Sequence, residues 1–292
     1  MLGLQRFTAS DGVVLRYRKE GAGPLVVALH GFPDTYRTWD AMASGLVQAG
    51  FCVTALAMRG YAPSDIPLDR NYSVDRLATD VVDLLDHLGV QSAAVLGHDW
   101  GASAAYALGA LYPERMTSIV TLAIPPLALG SSGLGERWVR PHNIYLGLGG
   151  VSDWWLRRRN FREVDRLYRL WSPNWSVSDR HMETVYAALQ PAERSRASVD
   201  YYTLGKTGQS AARLAVPISV PALVIYGGDE PDIRKAAFRN SLAVTGRGSK
   251  LVRIQDVGHW PHLEAPERCL SETKRFLTSM ISAVPGSADS SG

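Results

Sequence analysis

The chain has 292 residues, 46% hydrophobic and 20% charged, an ordinary globular composition with enough apolar material for one large core. Its 31 Lys and Arg against 28 Asp and Glu leave a net charge of +3, too weak and too evenly spread for a nucleic-acid surface. No apolar run approaches the ~20 residues of a membrane span, and Met1 to Phe7 lack the apolar stretch of a secretory signal. Two thiols, Cys52 and Cys269, make neither a disulfide framework nor a zinc site. Cys52 sits in an apolar run and reads as a buried, inert thiol. A reducing, cytoplasmic home is expected.

In chain order, Leu4–Ala9 and Val13–Lys19 flank Asp11-Gly12 and read as an antiparallel hairpin. Leu25–Leu29 is a strand running into His30-Gly31-Phe32-Pro33. Trp39–Ala49 reads as a helix and Phe51–Leu56 as a strand. Val74–Leu88 carries Leu77, Val81, Leu84, Leu85 and Leu88 at helical spacing, with Gly89 as a stop. Ala93–Leu96 is a short strand, Ala102–Tyr112 a small-residue helix closed by Pro113, and Met116–Ala123 another strand. This alternation predicts a mostly parallel sheet with helices on both faces.

The pattern breaks at Pro125-Pro126. From there to about Val216 the stretch is rich in Trp, Tyr and Arg and reads as several helices. A strand at Ala222–Tyr226, a helix over about Arg234–Ala243, a strand at Lys250–Ile254 and a helix from Pro266 to about Ala283 follow. The expected organisation is a core of residues 1–124 and 217–284, a helical cap over 125–216, and a disordered tail of Pro, Gly, Ser, Ala and Asp over 285–292.

The strongest chemical signal is Gly97-His98-Asp99-Trp100-Gly101, between a predicted strand and a predicted helix. It has the G-x-nucleophile-x-G form with Asp where Ser is commoner. The turn is sharp, so positions two either side must be small, as Gly97 and Gly101 are. The helix N-terminus beyond favours an anion at its head. An Asp merely capping that helix is the bland alternative.

With His30-Gly31-Phe32-Pro33, Arg59-Gly60-Tyr61 and Gly258-His259, this motif resembles the α/β-hydrolase superfamily, specifically its epoxide hydrolase branch. The resemblance runs from about Phe7 to Phe276. It implies an eight-stranded, mostly parallel sheet flanked by helices, with a helical cap. It implies Asp99 as nucleophile, oxyanion donors at Phe32 and Trp100, and a base at His259 after the last strand, with His262 as a decoy. The orienting acid maps to Glu230, with Asp229 and Asp232 as rivals. One departure stands out: the family usually carries an Asp two residues before the arginine of R-G-Y, and this chain has Ala57.

A carboxylate nucleophile is already ionised at neutral pH and suits displacement at a saturated carbon. That narrows the reaction to epoxides and carbon–halogen bonds. Dehalogenases of the fold need extra N–H donors or an Arg beside the nucleophile; this chain has Phe32 and Trp100 there. An epoxide leaves as an alkoxide and needs a proton donor opposite. The resemblance supplies these from the cap: Asp200-Tyr201-Tyr202-Thr203 matches the second-tyrosine motif and nominates Tyr202, with Tyr201 in the motif's Trp position. His142 falls where a first Tyr is usual, with Tyr145 as the alternative. Phe32, Trp100, Tyr145, Tyr201 and Trp260 are the expected substrate contacts. Of Trp138, Trp154, Trp155, Trp171 and Trp175, most are expected in the cap core and some around an apolar pocket. Arg157, Arg158, Arg159, Arg162, Arg166 and Arg169 read as a solvated helix face.

The expected activity is thus cofactor-independent and metal-independent hydrolysis of an epoxide ether bond, on a small apolar or aromatic epoxide. No nucleic-acid or membrane partner is expected, and an apolar cap surface is a candidate for pairing a homodimer. A dehalogenase with the same nucleophile, and a member that binds or cyclises a small molecule without hydrolysis, are the alternatives.

Overall fold

In the computed structural model, which describes residues 3–129, 140–204 and 211–282, the apolar runs pair into one eight-stranded sheet. The strands are β1 (Gln5–Thr8), β2 (Val14–Glu20), β3 (Leu25–Leu29), β4 (Cys52–Ala57), β5 (Ala93–His98), β6 (Met116–Leu122), β7 (Ala222–Gly227) and β8 (Lys250–Ile254). Their spatial order is β1-β2-β4-β3-β5-β6-β7-β8. The β1–β2 and β2–β4 pairings are antiparallel; every other pairing is parallel. Every residue of β4, β5 and β7 is buried, as continuous apolar runs covered on both faces require.

Helices α1 (Asp40–Gln48), α2 (Val74–His87) and α3 (Trp100–Leu111) connect the parallel strands. Leu77, Val81, Leu84 and Leu85 of α2 pack with Ala104, Ala105 and Leu108 of α3 in the larger core cluster. Met42 and Leu46 of α1 lie in the other cluster with Phe276 and Leu277 of the last helix. Two cores therefore sandwich the sheet, and truncating such a fully buried leucine to alanine costs ~2–5 kcal/mol.

Between β6 and β7 the described residues hold no strand. They form α4 (His142–Tyr145), α5 (Gly150–Trp171), α6 (Asp179–Leu189), α7 (Ala192–Leu204) and α8 (Ala211–Leu214). The α5 backbone breaks helical geometry from Arg158 to Phe161. All six arginines of the predicted charged face, from Arg157 to Arg169, are exposed. Trp138 and the tail 285–292 lie outside the described residues.

Three boundaries differ from expectation for local reasons. Thr35 accepts from the Arg37 N–H and starts a 3-10 turn at Tyr36, so α1 begins at Asp40 rather than Trp39. Helix α3 begins at Trp100 rather than Ala102, because Asp99 alone makes the turn. The predicted 234–243 helix is α9 (Asp232–Arg239), which starts after Pro231, followed by a separate 3-10 turn, Ser241–Ala243. After β8 come α10 (Pro261–Glu264) and α11 (Pro266–Ser282).

Candidate active site

Strand β5 ends at His98 and α3 starts at Trp100, leaving Asp99 at φ 50°, ψ −115°. A non-glycine residue held there stores ~1–3 kcal/mol of strain. The neighbours enforce it. A Cβ on Gly97 would lie 2.4 Å from the Gly101 carbonyl oxygen, and one on Gly101 would lie 2.2 Å from the Leu29 carbonyl oxygen. Only glycines let the turn close against β3.

The Asp99 carboxylate is buried, and its two oxygens have different surroundings. Oδ1 accepts the Phe32 N–H at 3.1 Å. Oδ2 lies 3.4 Å from His259 Nε2. Trp100 opens α3, so its N–H has no intrahelical acceptor. Burial pushes the Asp99 pKa up, but the hydrogen bond and charge of His259, with the charges of His98 and Arg140, outweigh it and hold the carboxyl well below the usual range.

On the far side of the imidazole, His259 Nδ1 lies 3.4 Å from Glu230 Oε1. The three candidate acids separate cleanly. Asp229 accepts from Asn174 Nδ2 at 2.8 Å, and Asp232 is exposed and pairs with Lys235 at 3.2 Å. Only Glu230 of the three pairs with the ring. Arg234, one turn along α9, donates to Glu230 Oε2 at 2.7 Å and to the Ala123 carbonyl at 2.6 Å. Against burial, the Arg234 charge and His259 hold the Glu230 pKa down at about 2. Burial opposes charge on His259, yet Asp99 and Glu230 together raise its pKa above the ordinary 6.5.

The His259 loop is clamped from both sides. Glu264 accepts the N–H groups of Gly258 and Trp260, each at 2.8 Å. The His259 N–H donates to Ser172 Oγ at 2.9 Å and to the Trp171 carbonyl at 3.1 Å, both at the end of α5. Its carbonyl accepts from His98 Nε2 at 2.8 Å.

The helical insertion brings two polar groups near Asp99. Tyr202 of α7 packs edge-on against Phe32 and Trp100, with ring centroids 5.3 and 5.4 Å apart. Burial, then the Asp99 charge, pushes its pKa well above 10, so the phenol keeps its proton. The His142 ring stands 6.4 Å from that of Tyr202, and its Nδ1 accepts the Trp171 indole N–H at 3.1 Å. Burial and the charges of Arg140 and His259 push the His142 pKa down to about 2. A neutral ring with Nδ1 occupied as an acceptor carries its proton on Nε2. That atom is buried and has no hydrogen-bond partner among the described residues. His142 therefore holds a free N–H donor.

Three expected substrate contacts are spent elsewhere. Tyr201 is fully buried, and its hydroxyl donates to the Arg59 carbonyl at 2.7 Å. Trp260 is fully buried, stacks on Tyr168 and donates to Asp34 Oδ2 at 2.7 Å. The Tyr145 hydroxyl donates to Glu163 at 2.7 Å and accepts from Arg166 at 2.9 Å, so its proton is committed. The buried tips of Tyr201 and Trp260 and the half-buried tip of Tyr145 each find a partner, and each partner lies away from Asp99. Trp154 and Trp155 are exposed, whereas Trp171 lines a cavity of about 360 Å³ with Arg140, His142, Leu170, Glu230, Arg234 and His259.

The model of the α/β hydrolase fold matches residues 24–266. The chain belongs to the α/β-hydrolase fold family. An epoxide hydrolase of Caballeronia sordidicola is 27% identical over 316 residues, covering 93% of each chain. Epoxide hydrolase B of Mycobacterium tuberculosis is 28% identical over 334 residues, covering 89% of this chain and 91% of its own. The crystal structure of epoxide hydrolase A from Mycobacterium thermoresistibile superposes with a TM-score of 0.74 at 25% identity, covering 94% of this chain and 98% of that one.

This α/β hydrolase solves the missing aspartate at Ala57 by another route. Asp80 of α2 takes Arg59 Nε at 2.7 Å and Nη2 at 2.6 Å, and Asp11 from the β1–β2 turn takes Nη2 at 2.8 Å. Sequence reasoning missed four residues of the site. Arg234 had a legible signal, a guanidinium four residues after Glu230 at a helix start. Asp34, next to Pro33, is buried and accepts from Tyr168, His181, Trp260 and Thr38, a pattern set wholly by long-range packing. Trp171 was one of five tryptophans and Arg140 one of many cap arginines, and neither had a distinguishing local pattern. Asp34, His98 and His262 bring possible ligand atoms within 4.8 Å of one another. The Asp34 carboxylate is already committed to four donors, and that cluster acts as a support beneath the His259 loop. Among the described residues no helix is long and apolar enough to cross a membrane.

Proposed function

We propose that this α/β hydrolase opens an epoxide to a vicinal diol through a covalent ester on Asp99. The observation that carries the reading is an ionised carboxylate on a strained elbow, with a neutral Nε2–H donor on His142 and a protonated phenol on Tyr202 close by. The epoxide hydrolase names of the similar proteins support it.

Oδ1 of Asp99 is held by the Phe32 N–H, so Oδ2 is the attacking oxygen. It forms a bond to one ring carbon while that carbon's bond to the epoxide oxygen breaks. The leaving alkoxide takes a proton from Tyr202 or His142. His259 then removes a proton from water, and the hydroxide adds to the Asp99 carbonyl carbon. Negative charge on Oδ1 meets the N–H groups of Phe32 and Trp100. Collapse expels the second alkoxide, which takes the proton held by His259 and leaves as the diol. The proton on the regenerated Asp99 carboxyl returns to Tyr202 or His142, restoring both carboxylate and donor. Glu230 orients the imidazole and stabilises its charged form. The helices between β6 and β7 serve as the cap that supplies both proton donors. Apolar rings at Phe32, Trp100 and Tyr202 favour an apolar or aromatic substituent. Pairing of two copies would draw on exposed Ile144, Leu148, Val151, Trp154 and Trp155.

Single-turnover hydrolysis in heavy-oxygen water tests the ester route. The first diol should carry light oxygen from Asp99 and the label should enter the protein. Label in the first-turnover diol would overturn it. Halide release across a haloalkane panel, without diol formation from epoxides, would favour the dehalogenase alternative.

A further inference from the structure

Arg140 precedes the short helix that carries His142, and its half-buried side chain lines the cavity of about 360 Å³ that reaches His142 and His259. The surrounding charges are all accounted for by short contacts. Glu230 is taken by Arg234 and His259, and Asp229 by Asn174. Arg140 has no ion pair within 4 Å and no side-chain hydrogen bond among the described residues, although Asp99, Glu230 and Arg234 all act on it through their charges. A guanidinium has five N–H donors in a planar fork that matches a carboxylate, and leaving it unmatched in a half-buried cavity is costly. The free Nε2–H of His142 lies two residues away in sequence.

We propose that Arg140 is a substrate-binding residue that takes a carboxylate, so that the preferred substrates are epoxides bearing a carboxylate group. The inference rests on the epoxide-opening reading of the same site. The contacts around the cavity favour it: Arg234 is the guanidinium that pairs with Glu230, and among the described residues the fork of Arg140 is left without a carboxylate in contact. The same cavity reaches His142 and His259, so a substrate with its carboxylate forked on Arg140 can extend toward the free Nε2–H of His142. A neutral epoxide would leave Arg140 desolvated and unmatched, so the contact discriminates between the two classes as well as binding one.

The test compares aromatic epoxy acids, with the carboxylate at varied distance from the ring, against their methyl esters. For the native protein kcat/KM should favour the best acid over its ester by about tenfold to a hundredfold, in the range of a charge-assisted hydrogen-bonded pair. The preference should shrink as salt screens the pair. Phenylacetate should compete with the ester substrate. In Arg140→Gln the acid-to-ester ratio should fall to about one and inhibition by phenylacetate should disappear, while Arg140→Lys should keep part of both. Circular dichroism melting checks that each variant is folded.

Several outcomes overturn the inference. One is native enzyme that opens neutral esters, with a trapped Asp99 ester, but handles the acids no better. Another is Arg140→Gln slowing acid and ester equally, which would assign Arg140 to the charge of Asp99 alone. If neither acids nor esters give diol or a trapped ester, the failure belongs to the epoxide-opening reading instead.

Discussion

The sheet side and the helical insertion hold their functional groups in different ways. On the sheet side most groups are fixed through main-chain atoms, with Glu230, held by the Arg234 side chain, as the exception. Asp99 sits on a turn that two glycines permit, and Phe32 offers a main-chain N–H. The His259 loop is tied by Glu264, His98 and Ser172 through main-chain atoms. On the insertion side the groups are held by side chains: His142 by one indole N–H and Tyr202 by the edges of Phe32 and Trp100. Main-chain anchoring suits a covalent bond that must form and break at one carbon. Side-chain anchoring leaves room for the insertion to adapt to different substrates without disturbing that bond.

The largest effects are expected on the sheet side. Asp99→Asn should lower steady-state turnover by about four orders of magnitude or more, since it removes the proposed nucleophile. Diol production, with intact mass to exclude deamidation, measures this. Turnover within tenfold of native would show that the elbow carboxylate is not the attacking group.

His259→Gln should spare alkylation and stop hydrolysis, a loss of about 10²–10⁴-fold. Intact mass after mixing with an epoxide should reveal a protein heavier by one substrate, and a chain of unchanged mass would count against an ester on Asp99.

Across the insertion, Tyr202→Phe and His142→Phe should each lower kcat/KM by roughly a hundredfold or less. The double variant should lose more than either single one but less than their product, because the two donors serve one oxygen. Equal loss in single and double variants would mean that only one of them protonates the alkoxide.

Changes of pH should have a smaller effect. The base must be neutral, and Asp99 and Glu230 raise the His259 pKa, so the hydrolytic step should rise with pH through a midpoint above 6.5. Glu230→Gln removes one of the two raising carboxylates, so the rising limb should move to lower pH even as the maximal rate falls. The proposed esterification of Asp99 would remove the other, which would make His259 a better-populated base when water must be activated. A limb that stays in place in Glu230→Gln would detach that acid from the ring.

The smallest effect belongs to Tyr145. Its hydroxyl is bonded to Glu163 and Arg166, so Tyr145→Phe should cost about 1 kcal/mol of stability and change kcat/KM less than about threefold. Thermal melting and diol assays read the two separately.

Local chemistry made much of this molecule legible in the sequence. Strands β4, β5 and β7 are largely apolar runs because both faces are covered, and the Gly97–Gly101 spacing marks a turn that larger residues would block. Those features depend on residues close together in the chain, where periodicity and sterics act. Which carboxylate meets His259, which tyrosine keeps a donor for the site, and what replaces the aspartate missing at position 57 depend on contacts between distant segments. Asp229, Glu230 and Asp232 are alike in local chemistry and only the family resemblance singled out Glu230; the path of the chain from β7 into α9 puts that one beside the ring. Tyr201 and Tyr202 are adjacent and chemically identical, yet successive positions on α7 point to different neighbours, one to Arg59 and the other toward Phe32 and Trp100. The fold, and Asp99 as the proposed nucleophile, could be read from the chain alone, because each is written in local spacing. The tertiary structure decided partners and protons, because a hydrogen bond or an ion pair forms between whichever groups packing brings together.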